Sequence, residues 1–248
     1  MYLYILGSGT CVPNKRRGSS GYYLEINDKK ILLDCGNGTT WKLEQIGVSF
    51  TDIDYVFITH FHPDHTSDLV PFLFANKYSY NKCRDKNLYI CGGKGTKGFI
   101  ESLNSIYYNW LKTDMMFVTE IEVSKIEYEV FDINVINSVH TDNSLVYKFT
   151  YAGHSLVYTG DTDYFEGLEE ISKHADLLLI ECSSVDDQKI KGHLTPSEII
   201  RLAHTSKPKK IVLTHLYPVC DEFDIVKQIQ SEVESQVIKA EDLMMISI

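Results

Sequence analysis

The segment His60-Phe-His62-Pro-Asp64-His65 crowds four potential metal ligands into six residues, directly behind the apolar run Tyr55–Ile58. A run of that length and character reads as a buried strand, so the segment leaves a sheet at a strand's carboxyl end, where sites form on α/β sheets. Imidazole and carboxylate suit a borderline ion such as zinc, and manganese or iron accept the same donors. Four clustered donors exceed what one catalytic ion usually takes from one loop, which predicts a second divalent ion. Without that clustering, the segment would read as a solvated turn.

The rest of the chain supplies an α/β frame. Short strands are expected at Leu3–Leu6, Tyr22–Ile26, Ile31–Leu33, Tyr55–Ile58, Leu88–Ile90, Ile133–Val139, Val146–Thr150, Leu156–Tyr158, Leu177–Ile180, Ile211–Leu213 and Leu243–Ile246. Helices are expected at Thr39–Ile46, Ser67–Lys77, Lys97–Tyr108, Phe165–His174, Pro196–His204 and Phe223–Glu232. Early hairpins followed by strand–helix alternation predict mixed sheets covered by helices. No linker or low-complexity tract interrupts the 248 residues, so residues 1–248 are expected to form one domain. A faint internal echo joins Ile58-Thr-His-Phe-His-Pro63 to Leu213-Thr-His-Leu-Tyr-Pro218, each placing a histidine just after a strand.

Composition narrows the function classes. The net charge of −10 opposes broad attraction to nucleic acid, which depends on cations neutralising phosphates. No run approaches the roughly 20 apolar residues needed to cross a bilayer, and the amino-terminal stretch meets Gly7 too early for a secretory core. Six dispersed cysteines, Cys11, Cys35, Cys83, Cys91, Cys182 and Cys220, form no Cys-x-x-Cys pair and are expected as reduced thiols of a cytoplasmic protein.

The His-x-His-x-Asp-His motif resembles that of the metallo-β-lactamase superfamily, and further matches follow in order: His140 after Ile133–Val139, Asp161 in Tyr158-Thr-Gly-Asp161, and His215 after Ile211-Val-Leu-Thr. The resemblance implies a four-layer αββα sandwich of two mixed sheets. It also implies that His60, His62 and His140 hold one ion, Asp64, His65 and His215 the other, with Asp161 bridging both. Two such ions share a hydroxide nucleophile and stabilise charge on the attacked centre, which is hydrolytic chemistry. Alone, His140 and His215 would read as structural histidines, and Asp161 as a helix cap with Asp163 its competitor. His154, His174 and His204 match no ligand position.

Flanking residues resemble the ribonuclease Z-like branch: Leu6-Gly-Ser-Gly-Thr10, Pro13, Lys15-Arg16-Arg17, Ser19-Ser20 and Leu32-Leu-Asp-Cys-Gly36 early, then Leu179-Ile-Glu181-Cys and Gly192-His193-Leu-Thr-Pro196. In that branch a glutamate and a histidine at these places assist catalysis, which implies His193 as general acid, Glu181 as its orienting partner, and Asp64 both as ligand and as proton acceptor. The bland alternative makes His193 a cap of the next helix and Glu181 half of a buried ion pair. Lys15, Arg16 and Arg17 either contact phosphate or form a solvated basic turn.

Only 20 residues separate His140 from Asp161, too few for the arm with which transfer-RNA-processing ribonuclease Z grips its substrate. The expected activity is therefore a phosphodiesterase acting on a small or nucleotide-like phosphodiester, with large nucleic acid disfavoured. Competing readings are a glyoxalase II-like thioesterase, a ribonuclease Z-type endonuclease and a non-catalytic metal-binding regulator. A homodimer fits relatives without the arm, and the aromatics Tyr78, Tyr80, Tyr107, Tyr108 and Trp110 are expected in core or subunit packing, with base stacking as the alternative.

Overall fold

A computed structural model describes residues 1–80 and 84–248. Cys83 lies outside the described residues; Cys11, Cys35, Cys91, Cys182 and Cys220 are free thiols.

Two seven-stranded sheets face each other. The first has the order β14 (Met245–Ser247), β1 (Tyr2–Gly7), β2 (Gly21–Ile26), β3 (Lys29–Cys35), β4 (Tyr55–Ile58), β5 (Leu88–Gly92), β6 (Met116–Glu120). The second runs β13 (Gln236–Lys239), β12 (Lys210–Thr214), β11 (Leu177–Glu181), β10 (His154–Tyr158), β9 (Leu145–Tyr151), β8 (Asp132–Asn137), β7 (Ser124–Glu127). In each sheet hairpin-paired strands give way to parallel ones: β3 through β6 are parallel in the first, β10 through β13 in the second.

Alternation of apolar residues divides the core into three slabs. Phe57 of the first sheet meets Phe149 and Tyr147 of the second at ring separations of 5.3 and 5.5 Å, both edge-on, in the slab between the sheets. Leu6, Leu32, Val56 and Ile90 point the other way, beneath α1 (Thr39–Gln45), α3 (Leu69–Tyr78) and α4 (Thr96–Ile106). Val157, Leu178, Ile180 and Leu213 pack outward against α5 (Glu166–Ser172), α6 (Pro196–Ser206) and α7 (Ile225–Gln230). The result is the expected αββα sandwich, whose central strands are apolar on both faces because both are covered.

The expected helix Ser67–Lys77 is α3, which begins two residues later at Leu69, and the one-turn α2 (Pro63–Thr66) ahead of it is not among the expected helices. Three strands escaped the sequence reading: β6, β7 and β13. β7, Ser-Lys-Ile-Glu, is mostly exposed and so carries no apolar alternation. Among the described residues, no helix is long and apolar enough to cross a membrane.

Candidate metal centre

The parallel register sends the carboxyl ends of β3, β4, β10, β11 and β12 to one rim, and β8, two antiparallel steps from β10, ends there too. His60 follows β4; His62 precedes Pro63, which opens α2, and that turn presents Asp64 and His65. His140 follows β8, Asp161 follows β10, and His215 follows β12 with φ 52. The internal echo survives folding: Pro63 and Pro218 each begin a short helical turn, and Tyr217 occupies the place corresponding to His62.

These seven side chains converge. Asp161 presents its two oxygens to two pairs of histidines. Oδ2 lies 3.6 Å from His60 Nε2 and 3.7 Å from His140 Nε2, while Oδ1 lies 3.3 Å from His65 Nε2 and 3.4 Å from His215 Nε2. His62 Nδ1 stands 3.1 Å from His140 Nε2, and Asp64 Oδ2 stands 3.3 Å from His215 Nε2. Two atoms bonded to one tetrahedral ion at about 2.0–2.1 Å lie roughly 3.3 Å apart, so this spacing fits donors around a cation. His60 Nε2, His65 Nε2 and Asp161 Oδ1 are also buried without a hydrogen-bond partner. Buried polar atoms are rarely left so, and three of them aimed into one space fit a divalent metal. The groups His60–His62–His140–Asp161 and Asp64–His65–His215 each bring their donor atoms within 4.8 Å of one another, as does Asp161–His193–His215.

Each of four histidines has its other nitrogen occupied. His60 Nδ1 is 3.1 Å from Thr59 Oγ1, His65 Nδ1 is 2.7 Å from Asp34 Oδ2, His140 Nδ1 is 3.0 Å from the Gly192 carbonyl, and His215 Nδ1 is 2.9 Å from Ser183 Oγ. Such partners orient an imidazole and select the tautomer whose Nε2 lone pair is free for metal. The Gly192 contact depends on a left-handed turn, φ 86, and a Cβ there would press to 3.0 Å on His140 Nδ1. Asp163, a competitor of Asp161 in sequence, instead accepts from Gly192 N at 2.9 Å and from Lys189 Nζ at 2.8 Å, securing that turn.

Electrostatics follow from burial against charge. Burial, with His65 nearby, depresses the basicity of His60. Burial opposes charge on His65 as well, but Asp161 and Asp34 outweigh it and hold that imidazole well above its ordinary range. Burial would raise Asp161, yet His215 and His65 pull it well below the usual carboxylate value.

Beside this cluster, His193 Nδ1 lies 3.1 and 3.3 Å from the two oxygens of Glu181, the last residue of β11. Burial lowers the affinity of His193 for a proton, but the Glu181 bond and charge reverse the balance and raise it. Glu181 is itself fixed by Thr162 N at 2.7 Å and Leu194 N at 3.1 Å. The His193 ring stacks on His215 at 5.6 Å and meets His140 at 4.9 Å. The helix-cap alternative is excluded, because α6 is capped by a Thr195–Glu198 capping box.

Arg17 serves neither reading suggested by the basic turn. It is buried, clamps Asp221 with two contacts of 2.8 and 3.0 Å, and donates to Ser8 Oγ and the Ala240 carbonyl. Lys15 and Arg16 remain on the wall of a cleft of about 750 Å³ that runs from the 10–19 loop, past Asn37 and Ser67, to Asp64. A β9–β10 hairpin fills the interval between His140 and Asp161. Tyr78, Tyr80, Tyr107, Tyr108 and Trp110 are exposed, so they are surface and not core.

A family profile described as "Anti-Pycsar protein Apyc1" matches residues 1–239. The chain belongs to that family. It is similar to the probable metallo-hydrolase YhfI of Bacillus subtilis, 28% identical over 87% of each chain. Its fold superposes on the YhfI crystal structure with a TM-score of 0.85, at 25% identity and 99% coverage of both. Ribonuclease Z of Methanosarcina acetivorans is 24% identical over 98% of this chain and 96% of its own. The short form of human tRNase Z (ELAC1) matches with a TM-score of 0.78 at 26% identity, over 100% of this chain and 99% of that one. Motif, fold and relatives agree on the ribonuclease Z-like branch of the metallo-β-lactamase superfamily.

Proposed function

We propose that this metal-dependent hydrolase of the metallo-β-lactamase superfamily is a phosphodiesterase for a small, cyclic or nucleotide-like phosphodiester. His60, His62 and His140 would hold one divalent ion, Asp64, His65 and His215 a second, and Asp161 both; imidazole-rich donors favour zinc, with manganese or iron compatible. Such ions acidify water and offset charge on a phosphoryl group when bound. The observation that carries the reading is the Glu181–His193 pair stacked against the cluster. A phosphodiester expels an alkoxide, a poor leaving group that needs a proton, whereas a thiolate leaves without one. His193, with Nδ1 engaged by Glu181 at 3.1 Å, has Nε2 left to deliver that proton. Asp64, whose carboxyl His215 holds below its ordinary value against the opposing effect of burial, stays ionised and can accept the proton of the attacking water.

The cleft of about 750 Å³ beside Asp64 matches the size range of small-molecule sites. Lys15 and Arg16 on its wall supply cationic contacts for a phosphate, and the short β9–β10 hairpin leaves transfer RNA without an arm to grip it.

The test measures hydrolysis of bis-p-nitrophenyl phosphate, a set of cyclic nucleotides, S-lactoylglutathione and a precursor transfer RNA, with added zinc or manganese. Turnover of the phosphodiesters without the thioester is the expected result. Thioester turnover alone overturns the reading, and efficient cleavage of the precursor RNA replaces the small substrate with a large one.

A further inference from the structure

Ser183 stands two residues beyond Glu181 and is fully buried, and its hydroxyl reaches beyond the His215 nitrogen it backs. Its Oγ lies 2.5 Å from Glu181 Oε2, 2.9 Å from His215 Nδ1, 3.2 Å from His193 Nδ1 and 3.2 Å from the His215 carbonyl. One hydroxyl carries one proton and two lone pairs, so these contacts cannot all be donations. The shortest contact is to a carboxylate, which only accepts, and a charged acceptor makes the stronger bond. The proton therefore goes to Glu181. The lone pairs then face the imidazoles, and His215 must carry its hydrogen on Nδ1. That leaves His215 Nε2 unprotonated on the side where Asp64 Oδ2 and Asp161 Oδ1 lie at 3.3 and 3.4 Å.

Thr59 makes the same arrangement at the other end of the cluster, donating to Asp34 Oδ2 at 2.8 Å while lying 3.1 Å from His60 Nδ1. Ser183 differs in the company it keeps. Its carboxylate is the one that orients His193.

We propose that Ser183 is a positioning residue that joins the His215 metal position to the proton-delivering pair, selecting the His215 tautomer and steadying Glu181 with a single hydroxyl. The inference rests on the reading of His215 as a ligand and His193 as a general acid. It predicts that removing the hydroxyl weakens metal binding and proton delivery together, although Ser183 touches neither ion nor substrate.

The experiment titrates zinc into the full-length protein against a chromophoric chelator and measures metal-saturated turnover of bis-p-nitrophenyl phosphate. It uses the wild type, Ser183→Ala, His193→Ala and the double variant. Ser183→Ala is expected to lose about 10–100-fold in affinity for one ion, the usual effect of removing a partner behind a metal ligand. On turnover, its effect is expected to shrink sharply when His193 is already alanine, because the two act through one proton path. The pair Ser183→Thr and Ser183→Val, equal in shape, guards against a folding artefact: threonine is expected to bind zinc as the wild type does and valine to lose it. Wild-type affinity in Ser183→Ala overturns the proposal, as do equal affinities in the threonine and valine variants or turnover losses that multiply independently with His193→Ala. If the wild type hydrolyses no phosphodiester, the functional reading fails and the zinc titrations alone decide the role of Ser183.

Discussion

Replacing Asp34 with asparagine removes a buried charge without straining the backbone, because its left-handed conformation, φ 55, is one that asparagine adopts readily. Four donors converge on this carboxylate: Thr59 N at 2.7 Å on Oδ1, and Thr59 Oγ1 at 2.8 Å, His65 Nδ1 at 2.7 Å and Tyr158 OH at 2.5 Å on Oδ2. An amide offers one oxygen and one NH2 group. Turned one way, its NH2 meets the Thr59 main-chain N–H, which cannot rotate away; turned the other, two N–H groups face Thr59 Oγ1, Tyr158 OH and His65 Nδ1, and His65 accepts only in the tautomer that protonates the Nε2 aimed at Asp161. The loss of one charge-assisted bond, about 1.5–3 kcal/mol, combines with a buried donor left unpaired, about 1–3 kcal/mol, for a total of roughly 2.5–6 kcal/mol. Domains of this kind are stable by only about 5–15 kcal/mol, so the effect is a large one. Urea unfolding of wild type and Asp34→Asn with a chelator present is the assay, since all four bonds are protein–protein and the cost must persist without metal. Zinc affinity is expected to fall about 10–100-fold in addition. An unchanged urea midpoint would refute the reasoning, whatever happened to the metal.

His193→Ala is expected to lower turnover by roughly two to four orders of magnitude with metal content unchanged; metal loss of the same size would make His193 a ligand instead. Asp161→Ala is expected to abolish occupancy by two ions, and a variant that retained both by elemental analysis would sink the bridging assignment. The bond and charge of Arg17 hold the Asp221 carboxyl below its ordinary value. A depressed carboxylate stabilises the fold above its unfolded value and loses that contribution as pH falls through its folded value. Asp221→Asn is therefore expected to be less stable than wild type at neutral pH, with the gap in urea midpoints closing in acid; a gap independent of pH would remove the clamp's electrostatic role.

How much was legible depended on what each residue answers to. Tyr55–Ile58 is a dense apolar run, and its strand appears with those bounds. β6 and β7, half or more exposed at the sheets' outer edges, answer to hydrogen bonding by a neighbour and not to burial, so their composition carries little signal. Helix existence was readable where apolar spacing was helical, as in α3, but the one-turn α2 was not, since Pro-Asp-His-Thr carries no apolar spacing. All seven expected ligands meet at one rim, and Glu181 meets His193, because motif residues follow strands whose ends the parallel register gathers. Asp34 lies one residue past the expected strand Ile31–Leu33 and entered only within the Leu32-Leu-Asp-Cys-Gly36 resemblance; its placement inside β3 and its buried partners emerge with the fold. Ser183 gave no signal either, since two of the side chains its hydroxyl meets lie 10 and 32 residues away in the chain.

The proposed ligands are divided between the two sheets: His60, His62, Asp64 and His65 hang from the first, His140, Asp161 and His215 from the second. Neither sheet owns a complete coordination set, so an ion held here acts as a rivet through the seam, and its affinity gauges how truly the two sheets are seated. A change deep in the seam, such as trimming Phe149 where it meets Phe57 at 5.3 Å, alters that seating without touching a ligand. By mass action the same rivet tightens the seam whenever the ion is abundant, which ties the firmness of the whole sandwich to the supply of metal around it.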